Sequence, residues 1–153
     1  MKKNDPLIAK NKKAYFDYEI LDSWEAWIEL KWYETKSARA KHANLKGSYV
    51  VIMSNEIYVK WMHITAWKSL SYKGSVETDR VRKLFLHRKT IDYLIGKIKE
   101  GWYTIIPLEL YFKWSLIKLR MALAKGKKAH QKKQVLKERA MDKQAKQSMK
   151  KYI

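Results

Sequence analysis

Apolar and polar residues alternate through the first third of the chain. Phe16, Tyr18 and Ile20 are separated by Asp17 and Glu19, and Trp24, Ala26, Ile28 and Leu30 are interleaved with Glu25, Glu29 and Lys31. A period of two puts successive side chains on opposite faces, which predicts half-buried strands. The alternation stops at residues 33–40, where Lys36 and Arg39 fall at helical spacing, and a short helix is expected there. Tyr49–Met53 and residues 57–62 flank Ser54-Asn55-Glu56 and read as a hairpin with asparagine near the turn. The polar, irregular stretch 65–78 reads as a loop. Beyond it Val81, Leu84, Phe85, Ile91, Leu94, Ile95 and Ile98 recur at helical spacings, predicting a helix capped by Asp79 and interrupted near His87. Residues 103–112 and 115–124 form a second expected hairpin, in which Ile117, Leu119, Met121 and Leu123 alternate with Lys118, Arg120 and Ala122. Short antiparallel strands interrupted by a helix predict a mainly β fold with flanking helices, an OB-type β-barrel. The chain holds no internal repeat.

The pattern changes at Lys125. From there to Ile153 the chain carries eleven Lys+Arg against two acids, and its apolar residues Met141, Ala145, Met149 and Tyr152 make one narrow helical stripe. That stripe is too thin to hold an isolated helix, so residues 125–153 are expected to be a basic tail, disordered when free and ordered on a partner. Residues 1–124 are long enough for one barrel-sized body and too short for two domains.

Charge narrows the function. Lys+Arg number 34 against 15 Asp+Glu, a formal net charge of +19, so the expected partner is a polyanion. Nucleic acid is favoured over membrane, because the aromatics are scattered over strand segments and no helix with a broad apolar face carries the charge. The chain has no cysteine, hence no disulfide frame or thiolate metal site. Its first residues lack the apolar run of a signal peptide, and its longest apolar run, Tyr49–Met53, is far short of a membrane span, so a soluble cytoplasmic protein is expected. The histidines His42, His63, His87 and His130 show no paired-ligand spacing, and the glycines form neither a P-loop nor a dinucleotide fingerprint. Neither metal nor cofactor is expected. Glu25 and Glu29 share the polar face of a strand, where solvated charges are commoner than an acid–base pair. An enzyme is not expected.

Basic residues gather at Asn11-Lys12-Lys13 and within residues 36–46, 80–89 and 125–133, interleaved with aromatics, and cations beside stacking surfaces are what RNA uses. The segments Asn11-Lys12-Lys13-Ala14-Tyr15, Glu34-Thr35-Lys36-Ser37-Ala38-Arg39, Ala43-Asn44-Leu45, Ser48-Tyr49-Val50 and Arg82-Lys83-Leu84-Phe85-Leu86-His87 resemble, in order and spacing, the motifs of the SmpB family. The resemblance continues through Tyr103-Thr104-Ile105-Ile106-Pro107-Leu108, Leu110-Tyr111-Phe112-Lys113 and Ala122-Leu123-Ala124-Lys125-Gly126-Lys127-Lys128. It implies an OB barrel that binds the tRNA-like domain of tmRNA and delivers it to stalled ribosomes for trans-translation. It also implies a tail that enters the mRNA channel near the small-subunit decoding centre and becomes helical there. Carried over by position, Asn11 and Glu25 are tmRNA contacts and Phe85 stands in the middle of what is usually Leu-Leu-Leu. Lys12, Lys13, Lys36, Arg39, Lys83, His87, Arg88, Lys125, Lys127 and Lys128 complete the expected RNA surface, with His130, Lys132 and Lys133 as the ribosome-facing part of the tail.

Several tryptophans depart from the family pattern and mark a divergent or redesigned member. Trp27, Trp32 and Trp102 stand where the family has glycine, and Trp61, Trp67 and Trp114 replace residues that are usually small, polar or otherwise different. A glycine often marks positive φ or close backbone approach. Strand parity puts Trp27 outward beside Glu25, where its indole either stacks on a base or obstructs the surface, obstruction being favoured. Gln131-Lys132-Lys133 replaces the family's Asp-Lys-Arg and keeps the positive charge while losing the carboxylate. Other readings of the composition are a general single-stranded RNA binder on an OB barrel, a ribosome-associated protein held by charge, and an RNA-processing enzyme.

Overall fold

The computed structural model describes residues 6–67 and 76–150. Its elements, in chain order, are β1 (Leu7–Lys10), α1 (Lys12–Asp17), β2 (Tyr18–Ile28), α2 (Trp32–Arg39), β3 (Ala43–Asn44), β4 (Tyr49–Met53), β5 (Glu56–Lys60), β6 (His63–Ile64), β7 (Arg82–Phe85), α3 (Arg88–Lys99), β8 (Thr104–Lys113), β9 (Leu116–Gly126) and α4 (Ala129–Lys150). Seven strands pair antiparallel in the order β1-β8-β4-β5-β7-β2-β9, and β8 also pairs with β9, so the sheet curls back on itself. The β4–β8 seam is the single pair Val50↔Ile105, which leaves the OB-like barrel less than strictly closed. β3 and β6 form a separate two-stranded ladder.

The inner face is apolar because alternate residues of each strand point inward: Ala26, Ile57, Val59, Leu84, Ile105, Leu110, Leu119 and Met121 are buried there, with Leu94 of α3 packed on them. Residues 105–108 of β8 and 121–124 of β9 are buried on both faces, since α1 covers their outer side with Ala14 against Ile106, Leu108, Ala122 and Ala124. That is why Ile105-Ile106-Pro107-Leu108 is a continuous apolar run, and Pro107 is accommodated beside a bulge in the β8–β9 register.

Both hairpins fall where the periodicity places them. Ser54 and Asn55 take φ +50° and +60°, the double left-handed geometry of a two-residue turn. The short helix at 33–40 is α2. Two expectations are corrected. Phe16 and Asp17 belong to α1, since Asn11 caps a helix that consumes the first alternating residues. Residues 82–85 are strand β7, and helix α3 starts only at Arg88, with His87 at its N-cap. The helical spacing of Val81, Leu84 and Phe85 misleads because Arg82, a charged residue, is fully buried and faces inward with Leu84. Asp79 caps nothing there and instead meets His63 Nδ1 at 2.8 Å. Most of the loop expected at 65–78 lies outside the described residues. Just past the end of α3, Gly101 takes φ +77° and its N–H returns to Ile98 O at 3.0 Å.

Candidate nucleic-acid interface

Glu25 projects from β2 into a cluster that three elements assemble. Its Oε1 accepts from Lys118 Nζ of β9 at 2.8 Å and Lys113 Nζ of β8 at 2.9 Å, and its Oε2 accepts from the Tyr111 hydroxyl. The Lys118 and Tyr111 hydrogen bonds hold the carboxyl at about 2, against a partial desolvation that pushes the other way. Burial and the Glu25 bond raise Tyr111 to about 12. A carboxylate so depressed stays ionised and cannot act as a general acid at neutral pH. With three donors already on it, Glu25 chiefly fixes the two lysines in place.

Beside it, Glu109 of β8 accepts from Arg120 at 3.1 Å and from the Tyr15 hydroxyl at 3.3 Å. Burial and Glu109 raise the Tyr15 phenol. Across β2, Trp27 pairs with Phe85 of β7, and both stay about half exposed, at 49% and 47%. Lys118 Nζ lies 4.7 Å from the Trp27 ring centroid and Lys83 Nζ 5.4 Å from that of Phe85. Lys83 is tied to Glu56 at 2.9 Å.

A second group forms around α1. Asn11 is 6% exposed; its Nδ2 donates to Pro107 O at 3.0 Å and its Oδ1 accepts from Ala14 N–H at 3.2 Å. Its amide is therefore spent on capping α1 and tying it to β8, and the exposed Lys12 and Lys13 are what that helix presents. The root of the tail meets the same helix. Lys127 N–H donates to Asp17 O at 2.9 Å, Lys127 Nζ to Tyr15 O at 3.3 Å, and Lys132 pairs with Asp17 at 3.3 Å. Lys125 is still inside β9, paired with Glu19, and its ammonium lies 5.7 Å from the exposed Trp102 ring. Lys128, His130 and Lys133 are exposed, the last two on α4, a helix without a buried residue.

Lys36 and Arg39 are exposed on α2. That helix is anchored by Glu34, whose Oε2 accepts from Lys31 N–H at 2.9 Å and from Arg80 at 2.5 Å, while Oε1 accepts from Arg82 at 3.0 Å. Burial alone pushes the Glu34 carboxyl up; the bonds from Arg80, Lys31 and Arg82 reverse this and leave it lowered. Arg82 also donates to Met62 O at 2.5 Å and Thr78 O at 2.9 Å, tying β7 to both of these backbone segments. His87 and Arg88 are exposed at the start of α3, where Arg88 donates to Asn55 O at 2.7 Å and pairs with Asp92 at 2.9 Å.

The residues expected on one RNA surface thus fall on separate patches: Glu25, Lys83 and Phe85 around β2 and β7, Lys12 and Lys13 on α1 near the tail root, Lys36 and Arg39 on α2. It misses Tyr111, Lys113, Lys118 and Arg120. Their signal is present, since Lys118 and Arg120 are the polar positions of the alternating β9, but the partner strand is not legible from alternation alone. Among the described residues no three His, Asp or Glu are grouped to hold a metal ion, and no helix is long and apolar enough to cross a membrane.

A family model described as SmpB protein matches residues 8–151. An SsrA-binding protein of a Nitratiruptor species is 46% identical over 147 residues, covering 95% of this chain and 98% of that protein. The SsrA-binding protein of Mycoplasma mycoides is 44% identical over 136 residues, covering 89% and 92%. A solved structure described as "tmRNA-SmpB: a journey to the center of the bacterial ribosome" superposes with a TM-score of 0.67 at 37% identity, covering 82% of this chain and 87% of that one. Similarity of this extent runs through the barrel and into the tail, and the chain belongs to the SmpB family.

Proposed function

We propose that this protein binds the tRNA-like domain of tmRNA and delivers it to stalled ribosomes for trans-translation, acting in the cytoplasm as an RNA-binding protein and not as an enzyme. The observation that carries the reading is the family match from residue 8 to residue 151, on a chain whose net charge is +19. In this reading the barrel body, residues 1–124, recognises the RNA. Lys12, Lys13, Lys36, Arg39, Lys83, Phe85, His87, Arg88, Lys125, Lys127 and Lys128 supply phosphate and base contacts, while Asn11 and Glu25 position those around them. The tail, residues 125–153, places His130, Lys132 and Lys133 at the decoding centre and mRNA channel of the small subunit. α4 buries no residue, which supports a tail whose helix depends on the ribosome for stability.

Competition between a tmRNA tRNA-like fragment and a single-stranded RNA of equal length tests this. Preference for the folded fragment, with affinity falling steeply as salt rises, is the expected result. Equal binding of both RNAs would make the protein a general single-strand binder instead.

A further inference from the structure

Register places four side chains in line across four strands. Tyr111 of β8 pairs with Lys118 of β9, Lys118 with Trp27 of β2, and Trp27 with Phe85 of β7. At about 4.8 Å between strands the row is roughly 14 Å long, and a stacked single strand rises about 3.4 Å per nucleotide, so it matches a few bases. Paired positions share a face of the sheet, and the exposure of Trp27 and Phe85 shows that the face meets solvent. Each of the three rings has a cation near it: Arg120 by Tyr111 at 5.3 Å, Lys118 by Trp27 at 4.7 Å and Lys83 by Phe85 at 5.4 Å.

The cations are positioned rather than loose. Glu25 holds Lys118 and Glu56 holds Lys83. Each ammonium has three donors, and one carboxylate bond leaves capacity for a phosphate oxygen. About half of the Trp27 surface remains in water, at 49% exposure. Aromatic faces in a line, flanked by fixed ammonium groups, are complementary to an unpaired base with its phosphates.

We infer that the Trp27–Phe85 step is a base-stacking site for an unpaired RNA base, with Lys118 and Lys83 meeting the adjoining phosphates. The inference rests on the RNA-binding reading above and adds to it a specificity-determining residue, Trp27, and a preference for unpaired over duplex RNA. It reverses the sequence expectation that this indole obstructs the surface.

The full-length chain and its Trp27→Ala, Trp27→Phe and Trp27→Gly variants are titrated by fluorescence anisotropy. The probes are the tmRNA tRNA-like domain, the same RNA with abasic loop positions, and a blunt duplex of equal charge. Trp27→Ala weakens binding of the intact domain by about 5- to 150-fold, the range of one base–aromatic stack, and leaves the duplex unchanged. Trp27→Phe retains most of the affinity, and the abasic RNA does not distinguish Trp27→Ala from the parent chain. Tighter binding by Trp27→Gly, no change in any variant, or equal losses on all three probes overturns the stacking site. A parent chain that binds single strands as well as the tRNA-like domain, with the Trp27 dependence intact, overturns the delivery reading and supports the stacking site. Thermal melts confirm that each variant is folded, and Trp27→Phe carries the comparison if Trp27→Ala is not.

Discussion

Replacing Trp114 by glycine is expected to stabilise the protein, although it deletes the largest of side chains. Trp114 opens the two-residue turn between β8 and β9 at φ +60° and is 94% exposed. An L-residue in left-handed backbone costs about 1–2 kcal/mol, and the extra unfolded-state freedom of glycine costs about 0.5–1 kcal/mol. The indole buries almost nothing, so the net gain is about 0.5–1 kcal/mol. That is a rise in Tm of roughly 1–4 °C for a chain of this size. Trp61 has a similar φ, +64°, but only 65% exposure. Its partly buried ring is worth up to about 2 kcal/mol, which offsets the relief, and Trp61→Gly comes out near neutral. Trp32 opens α2 with ordinary helical backbone, so Trp32→Gly loses about 0.5–1 kcal/mol. Urea unfolding of all three variants, together with Trp114→Ala, reads these signs as midpoint shifts at constant slope. Trp114→Ala removes the indole yet keeps the left-handed penalty and gains nothing. If Trp114→Ala and Trp32→Gly stabilise as much as Trp114→Gly, the gain comes from removing an exposed aromatic and the φ argument is wrong.

The buried Arg82 gives the largest expected loss: Arg82→Met leaves Glu34 with fewer donors and strips Met62 O and Thr78 O, costing about 3–5 kcal/mol in urea unfolding. The Glu34→Leu, Arg82→Met double variant loses less than the two single losses added together. Glu25 contributes stability that is complete above about 4.5 and disappears as pH falls towards about 2, because its carboxyl is lowered in the folded state. Glu25→Gln therefore narrows its stability gap to the parent across that window, and a gap that does not change with pH there contradicts the assignment. Truncation after Lys128 is expected to leave the melting temperature and tmRNA affinity nearly unchanged while abolishing trans-translation in a reconstituted ribosome assay; loss of tmRNA binding would show that the body does not recognise RNA alone.

The alternation in β2 and β9 and both hairpins were legible because each strand buries one face and exposes the other. Legibility failed where that condition failed. Arg82 is charged yet faces the core, so β7 reads as the first turn of a helix. Asn11 reads as a contact residue from its place in the family motif, and its further bonds, capping Ala14 N–H and donating to Pro107 O, depend on a residue far away in sequence. Glu25 was recognisable by its place in the family motif. Its three donors were not, since Lys113 and Lys118 approach it only when β8 and β9 close beside β2.

That closure also decides where the positive charge goes. The carboxylates of Glu25, Glu34, Glu56 and Glu109 are all engaged by cations from other elements, and Asp17 is engaged by the tail. These five acids are thus neutralised within the fold, where they set the positions of particular lysines and arginines. Lys12, Lys13, Lys36 and Arg39 have no ion pair among the described residues and are exposed. A polyanion approaching α1 or α2 therefore meets cations that need break no ion pair to bind it, which favours fast, salt-sensitive association. At the β2–β7 row it meets cations held in register beside aromatic rings, where geometry restricts which RNA fits. On the stacking proposal, the same excess of charge serves attraction on the helices and discrimination on the sheet, and the internal carboxylates separate the two roles.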